Sequence, residues 1–263
     1  MLTMTRPAIA LFIGAMGLGM MAHAVQADPA VVETRPALAS QGAAALEKAA
    51  KNNKYLFIFF YKEDTYASRV MRGVFQAAMA KATDKADSLE IQTADLAEQP
   101  IVARYGVDRA PMPLVLSIAP NGAITKGFPC RFDENQLLQA FVSPGCANCM
   151  KALQERKLVL LCVDRTTPQV KQVSVQQGIK DFVAYPQYAK SAEVVTLDAG
   201  DPAEAPFLKS LQVDPQTSGP VTVVMSPPGS VVGTYAGEVT AAQLDAKIKA
   251  AQSGCGAGCA CHH

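Results

Sequence analysis

The chain has 263 residues, of which 49% are hydrophobic and 18% are charged, and its formal net charge is +1. This composition is typical of a globular protein, and the near-zero charge excludes binding of nucleic acid or an anionic membrane through bulk charge. The length is sufficient for two domains.

Residues 1–27 have the pattern of a secretory signal peptide. Arg6 supplies a positive charge, Ala8 to Met21 is an apolar run, and Ala22-His23-Ala24 or Val25-Gln26-Ala27 offers a cleavage site. The alternative is an uncleaved membrane anchor, but the run is short and glycine-rich for a span. We therefore predict an exported, periplasmic protein in which disulfides can persist and which keeps no stable membrane insertion after cleavage.

The first part of the mature chain predicts alternating helices and strands. The segments are a helix over 37–51, a buried strand over Tyr55–Tyr61, a helix over Thr65–Ala82 and a strand over Leu89–Thr93. Gly106 is placed to end a further short helix in a left-handed conformation. Leu114–Ile118 then reads as a buried strand, and Asn121-Gly122 as a hairpin turn.

Two further signals frame that buried strand. Pro113 stands directly before it, where a missing N–H is tolerated, and we expect the Met112–Pro113 bond to be cis. Asp133 and Gln136 have the spacing of a capping box, which predicts the start of the next helix.

The order helix, Tyr-Gly-Val, proline, strand, Asn-Gly, strand resembles the C-terminal half of a thioredoxin fold, over about Tyr55 to Val142. The resemblance implies a central sheet with flanking helices and a cis-proline beside the usual active site. At the positions of the usual Cys-x-x-Cys motif this chain has Thr65-Tyr66-Ala67-Ser68, so ordinary dithiol exchange is excluded there. Asp64 or Thr65 then has a capping role, or the helix end and Pro113 form a groove for a peptide or small anion.

The second part of the chain repeats the first. Pro113, Gly122 and Gln136 recur 107 positions later as Pro220, Gly229 and Gln243. We therefore predict an α/β fold of two tandem thioredoxin-like domains, each a central mixed sheet flanked by helices, over residues 28–145 and 157–252. The degenerate active-site positions are Thr65, Ser68, Pro113 and Pro220. Between Asp164 and Lys190 the pattern fits both a helix and a strand, and no Cys-x-x-Cys follows the preceding strand.

The seven cysteines fall mostly in two places. Cys146 and Cys149 form a Cys-x-x-Cys motif in a predicted linker over residues 146–156. The predicted disordered tail over 253–263 contains three more cysteines and two histidines, namely Cys255, Cys259, Cys261, His262 and His263. Thiolates and imidazoles are ligands of copper and zinc, and the same cysteines can form disulfides in an exported protein. Cys162 lies in a predicted strand and Cys130 on a predicted loop.

Three functional hypotheses remain open. The first is a binding or adaptor protein whose Cys-rich tails bind a soft metal, copper or zinc, or form disulfides with a periplasmic partner. The second is a thiol–disulfide oxidoreductase that uses the tail cysteines, with Cys146 and Cys149 as redox candidates, and the third is a structural protein of the envelope. The sequence also resembles exported bacterial thioredoxin-like proteins with Cys/Gly-rich tails, which implies a fold and a compartment. The missing motif makes a conventional thioredoxin-type enzyme the less favoured interpretation.

Overall fold

The computed structural model describes residues 40–165, 175–214, 216 and 219–254. All of them belong to the compact unit formed by residues 38–263. Residues 1–37, the other unit, lie outside the described residues, and the signal-peptide prediction therefore stays a prediction. Within the described ranges, no helix combines the length and apolar character needed to cross a membrane.

The first half contains four helices and four strands. They are α1 (Gln41–Lys51), β1 (Tyr55–Tyr61), α2 (Tyr66–Ala80), β2 (Ala86–Gln92), α3 (Gln99–Tyr105), β3 (Leu114–Ile118), β4 (Ile124–Pro129) and α4 (Glu134–Leu138). The strands form one sheet in the order β2-β1-β3-β4, in which β1 and β2 are parallel and the other pairs are antiparallel. Leu56 to Phe60 are buried because helices cover both faces of the central strand β1.

The second half repeats this architecture. Its elements are α5 (Pro144–Gln154), β5 (Leu158–Asp164), α6 (Gln177–Val183), β6 (Ala192–Asp198), α7 (Ala205–Ser210), β7 (Val221–Ser226), β8 (Ser230–Ala236) and α8 (Ala241–Gly254). The sheet has the order β6-β5-β7-β8, again with one parallel pair at β5 and β6. Two mixed four-stranded sheets flanked by helices fit two thioredoxin-like domains.

Several local predictions in the first half are confirmed. Gly106 ends α3 with a φ of 60°, and Asp133 and Gln136 form the reciprocal hydrogen bonds of a capping box. The Met112–Pro113 peptide bond is cis. In the second half, among the described residues, the cis bond is instead Pro227–Pro228, so Pro220 does not reproduce the backbone of Pro113.

Most of the region predicted as a linker, residues 146–156, is instead part of helix α5, which ends at Gln154. Ser143 caps this helix by accepting a hydrogen bond from the N–H of Cys146, and Pro144 occupies the first turn, where its missing N–H costs nothing. One face of α5 is buried against β5 and β6. The helix therefore opens the second half as α1 opens the first, and Cys146 and Cys149 are not on a loose end.

Helix α5 also contacts the first half. The side-chain amide of Gln154 donates to the carbonyl of Ile124 at 2.7 Å and accepts from its N–H at 3.0 Å, which completes hydrogen bonds at the edge of β4. Ala147 packs against Ala119 and Ala123. One helix thus serves as a structural part of both halves.

Candidate functional site

The start of helix α2 carries the residues at the degenerate active-site positions of the first half. Thr65 precedes the helix, and its Oγ1 accepts a hydrogen bond from the N–H of Ser68 at 3.1 Å. The Ser68 hydroxyl is buried and donates to the carbonyl of Glu63 at 2.9 Å. The Thr65 hydroxyl therefore caps the helix, as the capping interpretation predicts, and the Ser68 hydroxyl ties the helix to the preceding turn.

Charges beside this helix end are already paired. Asp64 contacts Arg72 at 2.7 Å and Arg69 at 3.4 Å, and the hydrogen bond from Arg72 is the main cause that lowers the pKa of the Asp64 carboxyl. Arg72 also contacts Glu90 at 2.8 Å and lies over the ring of Tyr61. Because a carboxylate already lies at the helix end, the geometry favours a peptide over a small anion as an occupant here.

A groove runs between α2 and the segment that follows β4. It has a volume of about 640 Å³ and is lined by Tyr66, Ala67, Val70, Met71, Cys130, Arg131, Phe132, Asp133 and Gln136. We call it the α2–α4 groove. In the described part of the chain, four large hydrophobic side chains are exposed, and two of them, Tyr66 at 78% and Val70 at 45%, line this groove.

Cys130 also lines the groove, a position that the sequence does not predict for it. It follows β4 with a φ of 62°, and its N–H donates to the carbonyl of Pro113 at 2.7 Å. Its thiol is free and exposed. Pro113 does not line the α2–α4 groove, although its carbonyl holds the backbone of Cys130. The predicted groove between the helix end and Pro113 therefore stays a prediction.

Cys146 and Cys149 lie one turn apart on α5, and both are free thiols. Burial, together with the nearby carboxylate of Glu204, raises the pKa of Cys146 to about 11. Burial, together with Cys146 and Glu204, raises the pKa of Cys149 to about 12. Thiol exchange requires the thiolate, so neither sulfur is poised for it at neutral pH. Cys162 is also buried, and burial raises its pKa to about 11.

The predicted metal ligands of the tail, Cys255, Cys259, Cys261, His262 and His263, lie outside the described residues. Their role therefore stays a prediction. Among the side chains that the structure does describe, no three of His, Cys, Asp or Glu are grouped to hold a metal ion.

Comparison with known proteins returned solved structures of the thioredoxin fold. Thioredoxin O2 of Arabidopsis thaliana is 14% identical and covers 37% of this chain and 81% of its own, with a TM-score of 0.31. The thioredoxin Deadhead of Drosophila melanogaster is 18% identical over 40% of this chain and 94% of its own, with a TM-score of 0.32. A disulphide isomerase of Xylella fastidiosa is 16% identical over 36% of this chain and 75% of its own, with a TM-score of 0.30.

No family model matches the chain, and no curated protein does. The fold assignment accordingly rests on the strand order and element sequence of the two halves.

Proposed function

We propose that this chain is an exported binding protein of thioredoxin-like fold, which holds an extended apolar segment of another protein in the α2–α4 groove. The observation that carries the proposal is the exposure of Tyr66 and Val70 in that groove. Large apolar side chains at one concave place are typical of a protein-interaction site. Arg131, Asp133 and Gln136 supply polar groups at the other wall, where a bound backbone needs hydrogen-bond partners.

The proposal favours binding over redox catalysis. Thr65 and Ser68 carry hydroxyls that cannot form a disulfide; the first caps α2 and the second donates to the carbonyl of Glu63. The alternative, an oxidoreductase that uses Cys146 and Cys149, is not better supported, because burial raises the pKa values of both thiols. The structural neighbours suggest at most a redox or disulfide-related role, which this geometry does not strengthen.

The tail forms a second part of the proposal. The three cysteines and two histidines of residues 255–263 would bind copper or zinc, or form disulfides with a partner protein in the periplasm. The thiol count and metal content of protein purified from that compartment test this part. This test does not depend on the groove, because it measures only thiols and bound metal.

The groove is tested with reduced, carboxymethylated lactalbumin, an extended chain without disulfides, as the fluorescent probe in an anisotropy titration of the full-length protein. We expect Tyr66→Ser to weaken binding about tenfold and Val70→Ser somewhat less, because each removes apolar surface buried by the probe. The matched controls are Leu96→Ser and Val231→Ser, which change exposed apolar residues that do not line the groove.

The controls should bind the probe within about twofold of the parent protein. Circular dichroism and thermal unfolding of all four variants establish that the fold is kept. Equal weakening by groove and control substitutions, or no binding by the parent, would contradict the proposal.

A further inference from the structure

Each half contains a buried glutamate that faces the start of its first helix. In the first half, Glu98 accepts hydrogen bonds from the Ser40 hydroxyl at 2.8 Å, the Gln41 N–H at 2.6 Å and the Gly42 N–H at 3.0 Å. Both carboxylate oxygens are used. This carboxylate is therefore a fully bonded cap of α1.

In the second half the same arrangement is incomplete. Glu204 is 5% exposed, and its Oε1 accepts from the Gly145 N–H at 2.7 Å. Pro144 stands where the first half has Gln41, so one N–H donor is missing. Within the part of the chain that the structure describes, Oε2 of Glu204 accepts no hydrogen bond. A buried carboxylate oxygen without a donor creates a negative potential that attracts a cation.

The thiols lie at this same place. Cys146 and Cys149 occupy the positions of Ala43 and Leu46 in α1, 103 residues earlier. Their spacing on α5 puts the two side chains on neighbouring turns of one helix face. The Glu204 carboxylate lies at this same helix turn, because it accepts from the N–H of Gly145, the residue directly before Cys146. Gly145 allows this approach, because a Cβ there would lie 2.8 Å from Oε2 of Glu204.

Solvent reaches the thiol of Cys146 through a cleft of about 490 Å³. Its walls include Phe141, Pro144 and Phe207, and Cys146 is one of its lining residues. Cys146 is half-buried, whereas Cys149 behind it is 1% exposed. A small ion can therefore enter beside Cys146, while the buried position of Cys149 excludes a large reactant.

We propose that Cys146 and Cys149 bind one Cu(I) ion through their two sulfurs, beside the unpaired oxygen of Glu204. Soft thiolate ligands select Cu(I), and this ion accepts two ligands, whereas structural zinc requires four. The described residues hold no group of three ligands, which disfavours zinc at this place. Two Cu–S bonds form, two S–H bonds break, both protons leave to solvent, and no atom is oxidised or reduced. The helix N-terminus stabilises the negative complex that results.

The site shares no residue with the lining of the proposed groove or with the tail ligands, so it is tested in full-length protein that lacks the tail ligands. The parent for this test carries Cys255→Ser, Cys259→Ser, Cys261→Ser, His262→Ala and His263→Ala. Reduced protein is titrated with Cu(I) under anaerobic conditions against the colorimetric chelator bathocuproine disulfonate. We expect this parent to retain one Cu(I) per chain.

Adding Cys146→Ser or Cys149→Ala should lower the Cu(I) affinity by at least about 100-fold, since each removes a direct ligand. Cys130→Ser and Cys162→Ser are the matched controls and should leave the affinity within about twofold. Circular dichroism checks the fold, and the half-buried position of Cys146 makes its variant the more conservative of the two. A parent that retains no Cu(I), or a Cys146→Ser variant that binds as tightly as the controls, would overturn the proposal.

Discussion

The starts of α1 and α5 are built on the same plan and differ in what surrounds a buried glutamate. At α1, three donors satisfy Glu98, and the neighbouring side chains are Ala43 and Leu46. At α5, a proline replaces one donor, Glu204 keeps an unbonded oxygen, and two cysteines replace the apolar side chains. The first arrangement is typical of a structural cap, whereas the second leaves a buried oxygen without a hydrogen-bond donor, which is the basis of the proposed Cu(I) site.

The second helix of each half contains a glycine, and the different surroundings of these two glycines give the largest expected effect on stability. A Cβ on Gly178 of α6 would lie 1.9 Å from the carbonyl oxygen of Val239, whereas a Cβ on Gly73 of α2 would meet nothing within 4 Å. Gly178→Ala should therefore destabilise the protein by about 3 kcal/mol, because backbone would have to move. Gly73→Ala should stabilise it by about 1 kcal/mol through the higher helix propensity of alanine.

Urea unfolding followed by circular dichroism measures both glycine variants against the parent protein. We expect the glycine-to-alanine substitution to lower the free energy of unfolding at Gly178 and to raise it at Gly73. Similar destabilisation by the two substitutions would contradict the difference in surroundings between Gly178 and Gly73.

Substitution of the two buried glutamates, Glu98 and Glu204, gives the next largest expected effect on stability. Glu98→Gln should cost about 2 kcal/mol, because its amide retains one acceptor oxygen for donors that now bond to two charged oxygens. Glu204→Gln should cost less than about 1 kcal/mol, since Oε2 has no bond to lose and removing the buried charge offsets the weaker bond from Gly145.

The unfolding midpoints of the two glutamine variants in urea, measured at neutral pH, decide this comparison. A loss at Glu204 that equals or exceeds the loss at Glu98 would mean that the second carboxylate is as fully bonded as the first.

The sequence is sufficient to predict those features of the fold that depend on local signals. The capping box of Asp133 and Gln136, the left-handed Gly106 and the cis bond before Pro113 all follow from residues close together in the chain. Helix α5 is not apparent from the sequence pattern, although proline is favoured at the first turn of a helix, where Pro144 lies.

The sites depend on contacts that sequence patterns do not reveal. Glu98 and Glu204 meet the first helices of their halves across 56 to 59 residues of chain. Cys130 reaches the groove because its backbone bonds to Pro113. A buried glutamate has no periodic pattern of its own, so its partners become visible only in the folded structure.

The central claim is that Cys146 lies in a packed helix beside a carboxylate, and the pH dependence of its alkylation tests this claim most directly. Peptide-resolved mass spectrometry gives the rate at which iodoacetamide modifies each cysteine in the native protein. Because burial raises the pKa of Cys146 to about 11, its rate should keep rising about tenfold per pH unit from pH 7 to 10. A rate at Cys146 that levels off below pH 9, as for a thiol on an exposed linker, would contradict the account.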